Sequence, residues 1–154
     1  MKINIYLLLI SLSSAIAPAW ADSSAERCNR LAIATYVDSD EQVAHARALI
    51  KSLRRFGASY QNSPVYVALD ATKGLSSARM AMQNVTLVPF RMPSFAGRYP
   101  LAVKAYAAAA IEAAMPASVR TLTWFDPETL VLGSLQDLDL DASHDAAIDR
   151  KSVV

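Results

Sequence analysis

Two carboxylates in the segment 120–138 are the residues whose types and spacing point most directly to chemistry. Asp126 and Glu128 flank a proline directly after an apolar stretch that contains Trp124. Carboxylates at the end of a buried strand need a partner that offsets their lost hydration, and hard divalent cations take carboxylate oxygens as ligands. The pattern predicts a metal and ligand site at a strand end. A plain turn with solvated acids stays open as the alternative, because acids and proline are both frequent in turns.

The strands and helices that position Asp126 and Glu128 are predicted to alternate along the chain. Apolar and β-favouring runs predict strands, and apolar residues at helical spacing predict helices. This alternation indicates an α/β fold with a mostly parallel sheet flanked by helices, whose ligands bind outside the carboxyl ends of the strands. The predicted strands are 30–37, 65–69, 85–90 and 121–125, the predicted helices are 39–56, 72–83 and 100–115, and a further strand is predicted to begin at 146–148.

Local signals set several of these boundaries. Ser39 and Gln42 form a capping-box pattern at the start of the first helix, and Gly57 is a stop signal for it. Pro100 is suited to the first position of the last helix. Pro89 predicts a break in the third strand, because proline cannot donate to a ladder.

The first 21 residues predict a signal peptide. Lys2 precedes an apolar stretch that ends in an Ala-Trp-Ala cleavage pattern. We therefore expect a mature domain of 22–154 with no membrane span, exported to a bacterial periplasm or secreted. An uncleaved anchor is the alternative, although the apolar stretch is short for a transmembrane helix.

Charge and motifs exclude several classes of function. The chain has 15 Lys and Arg and 14 Asp and Glu, so that without Lys2 the mature domain carries no net charge. This argues against nucleic acid or an anionic membrane as the main partner. Cys28 is the only cysteine, which excludes an intrachain disulfide and a cysteine-based zinc site. Neither GxGxxG nor GxxxxGK[ST] occurs.

The order of elements and the stretch around Asp126 resemble the nucleotide-diphospho-sugar transferases. The similar members are glycogenin, galactinol synthase and the bacterial lipopolysaccharide galactosyltransferases. The likeness spans about residues 30–150. The features that carry it are Ala34-Thr35-Tyr36, a first helix ending in Ser52-Leu53, Lys104, the Asp126-Pro127-Glu128 variant of an Asp-x-Asp motif with its flanks, and Ala146-Ala147-Ile148-Asp149.

The resemblance implies a Rossmann-like sheet and transfer of a sugar from a nucleotide diphosphate donor to an acceptor hydroxyl. It implies a divalent cation, Mn²⁺ or Mg²⁺, on Asp126 and Glu128, with Asp126 also contacting the donor ribose. It places Lys104 against the donor sugar or phosphate, and Thr35 and Tyr36 against the nucleobase and ribose. The acceptor is not specified.

The sequence departs from the family in three ways. The second acid is Glu128 rather than aspartate, which lengthens one metal ligand by a methylene. The chain covers only the donor-binding half, so the domain is expected to be truncated and to lack the acceptor half. Export separates it from cytoplasmic nucleotide sugars. An exported non-catalytic nucleotide- or sugar-binding module, and an unrelated α/β domain, therefore remain alternatives.

Several candidate residues also have explanations that involve no function. Lys104 is of a type that is more often a solvated helix lysine, and Thr35 and Tyr36 are equally consistent with ordinary strand residues. Arg91 and Arg98 flank a loop rich in proline and glycine, where they are candidates for phosphate contacts or are simply solvated.

Overall fold

The computed structural model of the chain describes residues 30–75 and 80–138. Its four strands form one sheet in the order β3-β2-β1-β4, and every neighbouring pair is parallel. Two α-helices accompany the sheet, which confirms the predicted α/β class. The elements are β1 (Leu31–Val37), α1 (Asp40–Phe56), β2 (Val65–Asp70), β3 (Val85–Phe90), α2 (Pro100–Ala114) and β4 (Thr121–Trp124), with short 3₁₀ turns at Ala58–Tyr60, Ala96–Arg98 and Gln136–Leu138.

The two helices cover opposite faces of the sheet because strand residues alternate between the faces. Leu31 and Ile33 of β1 lie in one apolar cluster with Leu49 of α1. Ala32 and Ala34 lie in a second cluster with Ala107 and Ile111 of α2. We call these the α1 face and the α2 face.

The direction of winding reverses beside β1. From β1 the chain adds β2 and then β3 on one side, and it crosses back through α2 to place β4 on the other side of β1. The connections therefore diverge between β1 and β4, and in open α/β sheets such a divergence leaves a crevice at the carboxyl ends of the two strands.

The boundaries of α1 follow the predicted signals. Ser39 Oγ accepts a hydrogen bond from Gln42 N at 3.2 Å, and Gln42 Oε1 accepts one from Asp38 N at 2.9 Å. In a capping box the glutamine side chain bonds to the backbone N–H of the cap residue, whereas here Gln42 bonds to the N–H of Asp38, one residue before the cap. At the other end, a Cβ on Gly57 would lie 2.6 Å from Leu53 O, so only glycine permits this close approach. α2 begins at Pro100, as predicted.

The predicted helix at 72–83, the predicted break at Pro89 and several boundaries differ from the structure. No α-helix occurs at 72–75 or 80–83, because Asp70 Oδ1 accepts bonds from Thr72 N (2.9 Å) and Thr72 Oγ1 (2.7 Å) and turns the chain. β3 continues through Pro89, since an edge strand tolerates a missing donor. β4 ends at Trp124, one residue earlier than predicted.

Some predictions concern residues that the structure does not describe. The signal peptide at 1–21, Cys28 and the strand at 146–148 lie outside the described residues. Within 30–75 and 80–138, no helix has the length and apolar character needed to span a membrane.

Candidate ligand site at the carboxyl edge of the sheet

An ion pair joins two of the predicted site residues at the carboxyl edge. Lys104 Nζ lies 2.7 Å from Asp126 Oδ1, and the two side chains are 44% and 49% exposed. Trp124 Nε1 also donates to Asp126 Oδ1, at 3.3 Å. Ion pairs this exposed contribute at most about 1 kcal/mol to stability, so the pair matters for where it holds its charges.

The sheet itself delivers Asp126 to this position. Phe125 N donates to Ala34 O at 2.9 Å, which extends the β1–β4 pairing one residue beyond the end of β4. Asp126 therefore emerges next to the end of β1. Lys104 lies in the second turn of α2. This helix covers the face of the sheet against which Trp124 packs.

The two acids share a four-residue turn. Asp126 O accepts a hydrogen bond from Thr129 N at 2.9 Å, with Pro127 in the first corner position that proline favours. Pro127 is buried, whereas Asp126 and Glu128 are exposed. Solvent and a ligand can both reach the two carboxylates.

The segment that follows the turn is tied to α1. Val131 N donates to Ser52 Oγ at 2.9 Å, and Ser52 Oγ donates to Leu49 O at 2.8 Å. Val131 is buried in the core of the α1 face, while its neighbours Leu130 and Leu132 are exposed. The acidic turn is thus held from both sides, by Lys104 of α2 and by Ser52 of α1.

Tyr36 lies on the α2 face, the same face of β1 as Ala34. Its ring meets Phe90 edge to face, with 5.9 Å between centroids, and its hydroxyl hydrogen-bonds with Asp38. Burial, the bond with Asp38 and the charges of Asp38 and Asp70 together raise the pKa of the Tyr36 phenol far above its usual value. The phenol therefore stays protonated and acts as a donor at physiological pH.

Thr35 alternates to the α1 face. Its side chain is fully buried, and its Oγ1 has no hydrogen-bond partner within the described part of the chain. Of the predicted pair Thr35 and Tyr36, only Tyr36 shares a face with α2, which carries Lys104. A ligand at the Lys104–Asp126 pair would have to reach Thr35 from the opposite side of β1.

Sequence reasoning assigned no role to two further carboxylates at this edge. Asp38 directly follows β1. Asp70 ends β2, is 4% exposed and is held by Thr72. The signal that was available is an aspartate at or just beyond three neighbouring strand ends, Asp38, Asp70 and Asp126. It becomes meaningful only when the strand order is known.

The carboxylates fit a divalent cation only with help from a ligand. Within 30–75 and 80–138, no three His, Cys, Asp or Glu side chains are grouped to hold a metal ion. Asp126 and Glu128 offer two carboxylates on one turn, and Mg²⁺ is commonly bound by one or two carboxylates together with substrate phosphates. The donor set therefore suits a cation that arrives with, or after, a phosphate ligand.

Comparisons with protein-family models, with curated proteins and with solved structures find no match to this chain. The likeness to nucleotide-diphospho-sugar transferases rests on the residues of this sequence alone.

Proposed function

We propose that this chain binds a nucleoside diphosphate sugar at the carboxyl edge of its sheet and transfers the sugar to an acceptor hydroxyl. The observation that carries the proposal is the Lys104–Asp126 pair beside the crevice between β1 and β4, because ligands of open parallel sheets bind where the strand order reverses. The Rossmann-like donor-binding fold and export through the 1–21 leader belong to the same proposal.

The residues around the crevice support distinct roles. The diphosphate leaving group gains negative charge during transfer, and a cationic group held in place stabilises that charge. Lys104 supplies the ammonium. Asp126 and Glu128 would hold Mn²⁺ or Mg²⁺, which supplies Lewis-acid neutralisation of the diphosphate.

The nucleoside end is served by the neighbouring strand ends. Tyr36 keeps its proton directed at Asp38, and its phenolic oxygen can accept a hydrogen bond from a base N–H or a ribose hydroxyl. Asp70 at the end of β2 can accept from a ribose hydroxyl, the role that an acid near the second strand plays in dinucleotide-binding sheets. Arg91 follows β3 and is exposed, and so is available to a phosphate.

The direct test is nucleotide binding by Asp126→Asn. We expect its affinity for uridine, adenosine or guanosine diphosphate in the presence of Mn²⁺ to fall by about 10–100-fold, the usual cost of losing a metal-site contact. Isothermal titration calorimetry in Mn²⁺ and in EDTA measures it. Glu112→Gln removes an exposed carboxylate at the far end of α2 and is the matched control.

Two outcomes would contradict the assignment of the acids. Unchanged affinity in Asp126→Asn would remove this carboxylate from the site. Glu128→Asp restores the usual acid of the motif, and we expect it to keep or tighten Mn²⁺ binding, so that a large loss would show that Glu128 is not a ligand.

An exported, non-catalytic nucleotide- or sugar-binding module is the second candidate. It is favoured by a glutamate in place of the second aspartate and by the export that the 1–21 leader implies. Release of free nucleotide from a nucleotide sugar separates the two functions. Metal-dependent binding without turnover, in the presence of candidate acceptors, would support the module.

A further inference from the structure

One carboxylate oxygen at the candidate site already serves two donors. Asp126 Oδ1 accepts from Lys104 Nζ at 2.7 Å and from Trp124 Nε1 at 3.3 Å. We propose that Lys104 and a divalent cation exclude each other at Asp126, and that a bound diphosphate opens Asp126 to the cation by drawing Lys104 away. The second half of this proposal rests on the proposed function.

The exclusion follows from distance and charge. A divalent ion binds carboxylate oxygen at about 2.0–2.2 Å. An ammonium 2.7 Å from the same oxygen would then lie within a few ångströms of the ion, where like charges repel strongly. The indole N–H of Trp124 approaches the same oxygen and leaves less room for a third partner. Lys104 must therefore move before the ion can bind at Oδ1.

The lysine has both the freedom and a reason to move. Its side chain is 44% exposed, and its four-carbon stem lets the ammonium change partners without moving α2. A diphosphate carries more negative charge than one carboxylate, and thus competes for the ammonium. Once Lys104 has turned to the diphosphate, Asp126 and the phosphate oxygens together offer the ligand set that Mg²⁺ and Mn²⁺ prefer.

The consequence is an order of binding. Without a nucleotide, Lys104 neutralises Asp126 and keeps the affinity for free cations low. With a nucleotide, the same lysine neutralises the diphosphate, and the cation takes its place on Asp126. The site would discriminate against free metal ions and load them only with the donor.

Binding of Mn²⁺ alone tests the exclusion. Free Mn²⁺ is counted by electron paramagnetic resonance during titration of the wild type, Lys104→Met and Lys51→Met. Methionine keeps most of the stem and removes the charge, and Lys51 is an exposed lysine of α1. We expect Lys104→Met to bind Mn²⁺ about two- to fivefold more tightly than the wild type, since an ion pair this exposed is worth at most about 1 kcal/mol.

The two control variants locate the effect. Lys51→Met should bind Mn²⁺ as the wild type does, and adding Asp126→Asn to Lys104→Met should abolish the gain. Circular dichroism confirms that each variant is folded. Equal Mn²⁺ affinity in the wild type and in folded Lys104→Met would overturn the exclusion, as would a gain that survives Asp126→Asn.

Uridine diphosphate tests the exchange. We expect saturating nucleotide to tighten Mn²⁺ binding more in the wild type than in Lys104→Met, which no longer has a lysine to release. Equal tightening in both proteins would overturn the exchange while leaving the proposed function intact. If neither uridine, adenosine nor guanosine diphosphate binds, the proposed function and the exchange both fall, and the titrations with Mn²⁺ alone still decide the exclusion.

Discussion

Tyr36 is fixed as a hydrogen-bond donor by its surroundings. Its ring packs on Phe90, and its hydroxyl meets the carboxylate of Asp38, with Asp70 nearby. Each of these features opposes loss of the phenolic proton. A tyrosine that donates its proton to Asp38 can accept a hydrogen bond from a ligand at its oxygen but cannot act as a base, so general-base chemistry at this edge would fall to a carboxylate.

The raised pKa of Tyr36 also makes a prediction about stability. The folded state holds the proton more firmly than the unfolded chain, whose tyrosine titrates near pH 10. The resulting stabilisation is complete below about pH 10 and is lost as the pH rises toward the higher folded pKa. Urea unfolding of the wild type and Tyr36→Phe should therefore differ most below about pH 9 and progressively less above pH 10.

Tyr99→Phe is the control for this comparison, because Tyr99 is exposed and has the same chemistry. It shows how much of any effect comes from removing a phenol as such, apart from the surroundings of Tyr36. A difference between the wild type and Tyr36→Phe that stays constant up to about pH 11 would mean that the Tyr36 proton is not held by the fold.

Thr35 gives a second prediction at this scale. A buried hydroxyl without a partner costs about 1–3 kcal/mol, and valine has the same shape without the hydroxyl. We expect Thr35→Val to raise the free energy of unfolding by about 1 kcal/mol, measured by urea denaturation. Thr86→Val on the exposed side of β3 is the matched control.

The same variant tests the nucleotide contact that the family resemblance implies for Thr35. If the hydroxyl contacts the donor, the gain in stability will come with weaker binding of nucleoside diphosphates. Greater stability with unchanged affinity would limit the ligand to the α2 face. A loss of stability would instead mean that the hydroxyl has a partner in solution.

At the level of elements, the segment after β4 is held in place by a long-range hydrogen bond to α1. Ser52 lies 79 residues before Val131 and binds its backbone N–H. We expect Ser52→Ala to lower the free energy of unfolding by about 1–3 kcal/mol, because a buried N–H loses its acceptor. Because this bond also positions the acidic turn, Mn²⁺-dependent nucleotide binding should weaken as well.

Ser118→Ala, at an exposed serine between α2 and β4, is the control for Ser52→Ala. It should change neither stability nor binding. Full stability in Ser52→Ala would show that another acceptor replaces the hydroxyl. Lower stability with unchanged binding would separate the anchor from the site.

The elements with strong local signals were predictable. β1, β2 and the two α-helices follow from apolar runs, helical periodicity, Ser39 and Pro100. The prediction of a helix at 72–83 was wrong over its described residues. Thr72 bonds to Asp70 and forms a turn there, which the spacing of apolar residues does not reveal. Pro89 predicted a break because the sequence does not say that β3 is an edge strand.

The candidate site was predictable only in part, for a similar reason. Asp126 and Lys104 were both singled out, but their pairing across 22 residues requires the strand order and the side of the sheet on which α2 lies. Asp38 and Asp70 resembled solvated strand ends. The placement of Thr35 and Tyr36 on opposite faces follows from strand alternation, yet which face carries the ligand depends on tertiary structure.

Across the described part of the molecule, β1 is one of the two inner strands of the sheet. It pairs with β2 on one side and β4 on the other, and its residues Leu31 to Thr35 are fully buried. We expect amide hydrogens of β1 to exchange more slowly than those of β3 and β4, since they open only when the sheet as a whole unfolds. Native-state hydrogen exchange by mass spectrometry or NMR measures this.

The outer strands provide the internal comparison for that experiment. β4 is only four residues long, and β3 contains Pro89. Amides of β4 that are as slow to exchange as those of β1 would show that β4 is protected on its outer side as well in solution. Amides of β1 that exchange quickly would contradict a single cooperative sheet.

The bond from Trp124 to Asp126 has an optical consequence. An indole whose N–H faces a carboxylate and an ammonium absorbs and emits according to the electric field of those charges. Any event that moves Lys104, or replaces it by another cation, changes that field at the chromophore. We therefore expect the fluorescence of Trp124 to follow the state of the acidic turn without a label, once Trp20, the second tryptophan of the chain, has been replaced by phenylalanine.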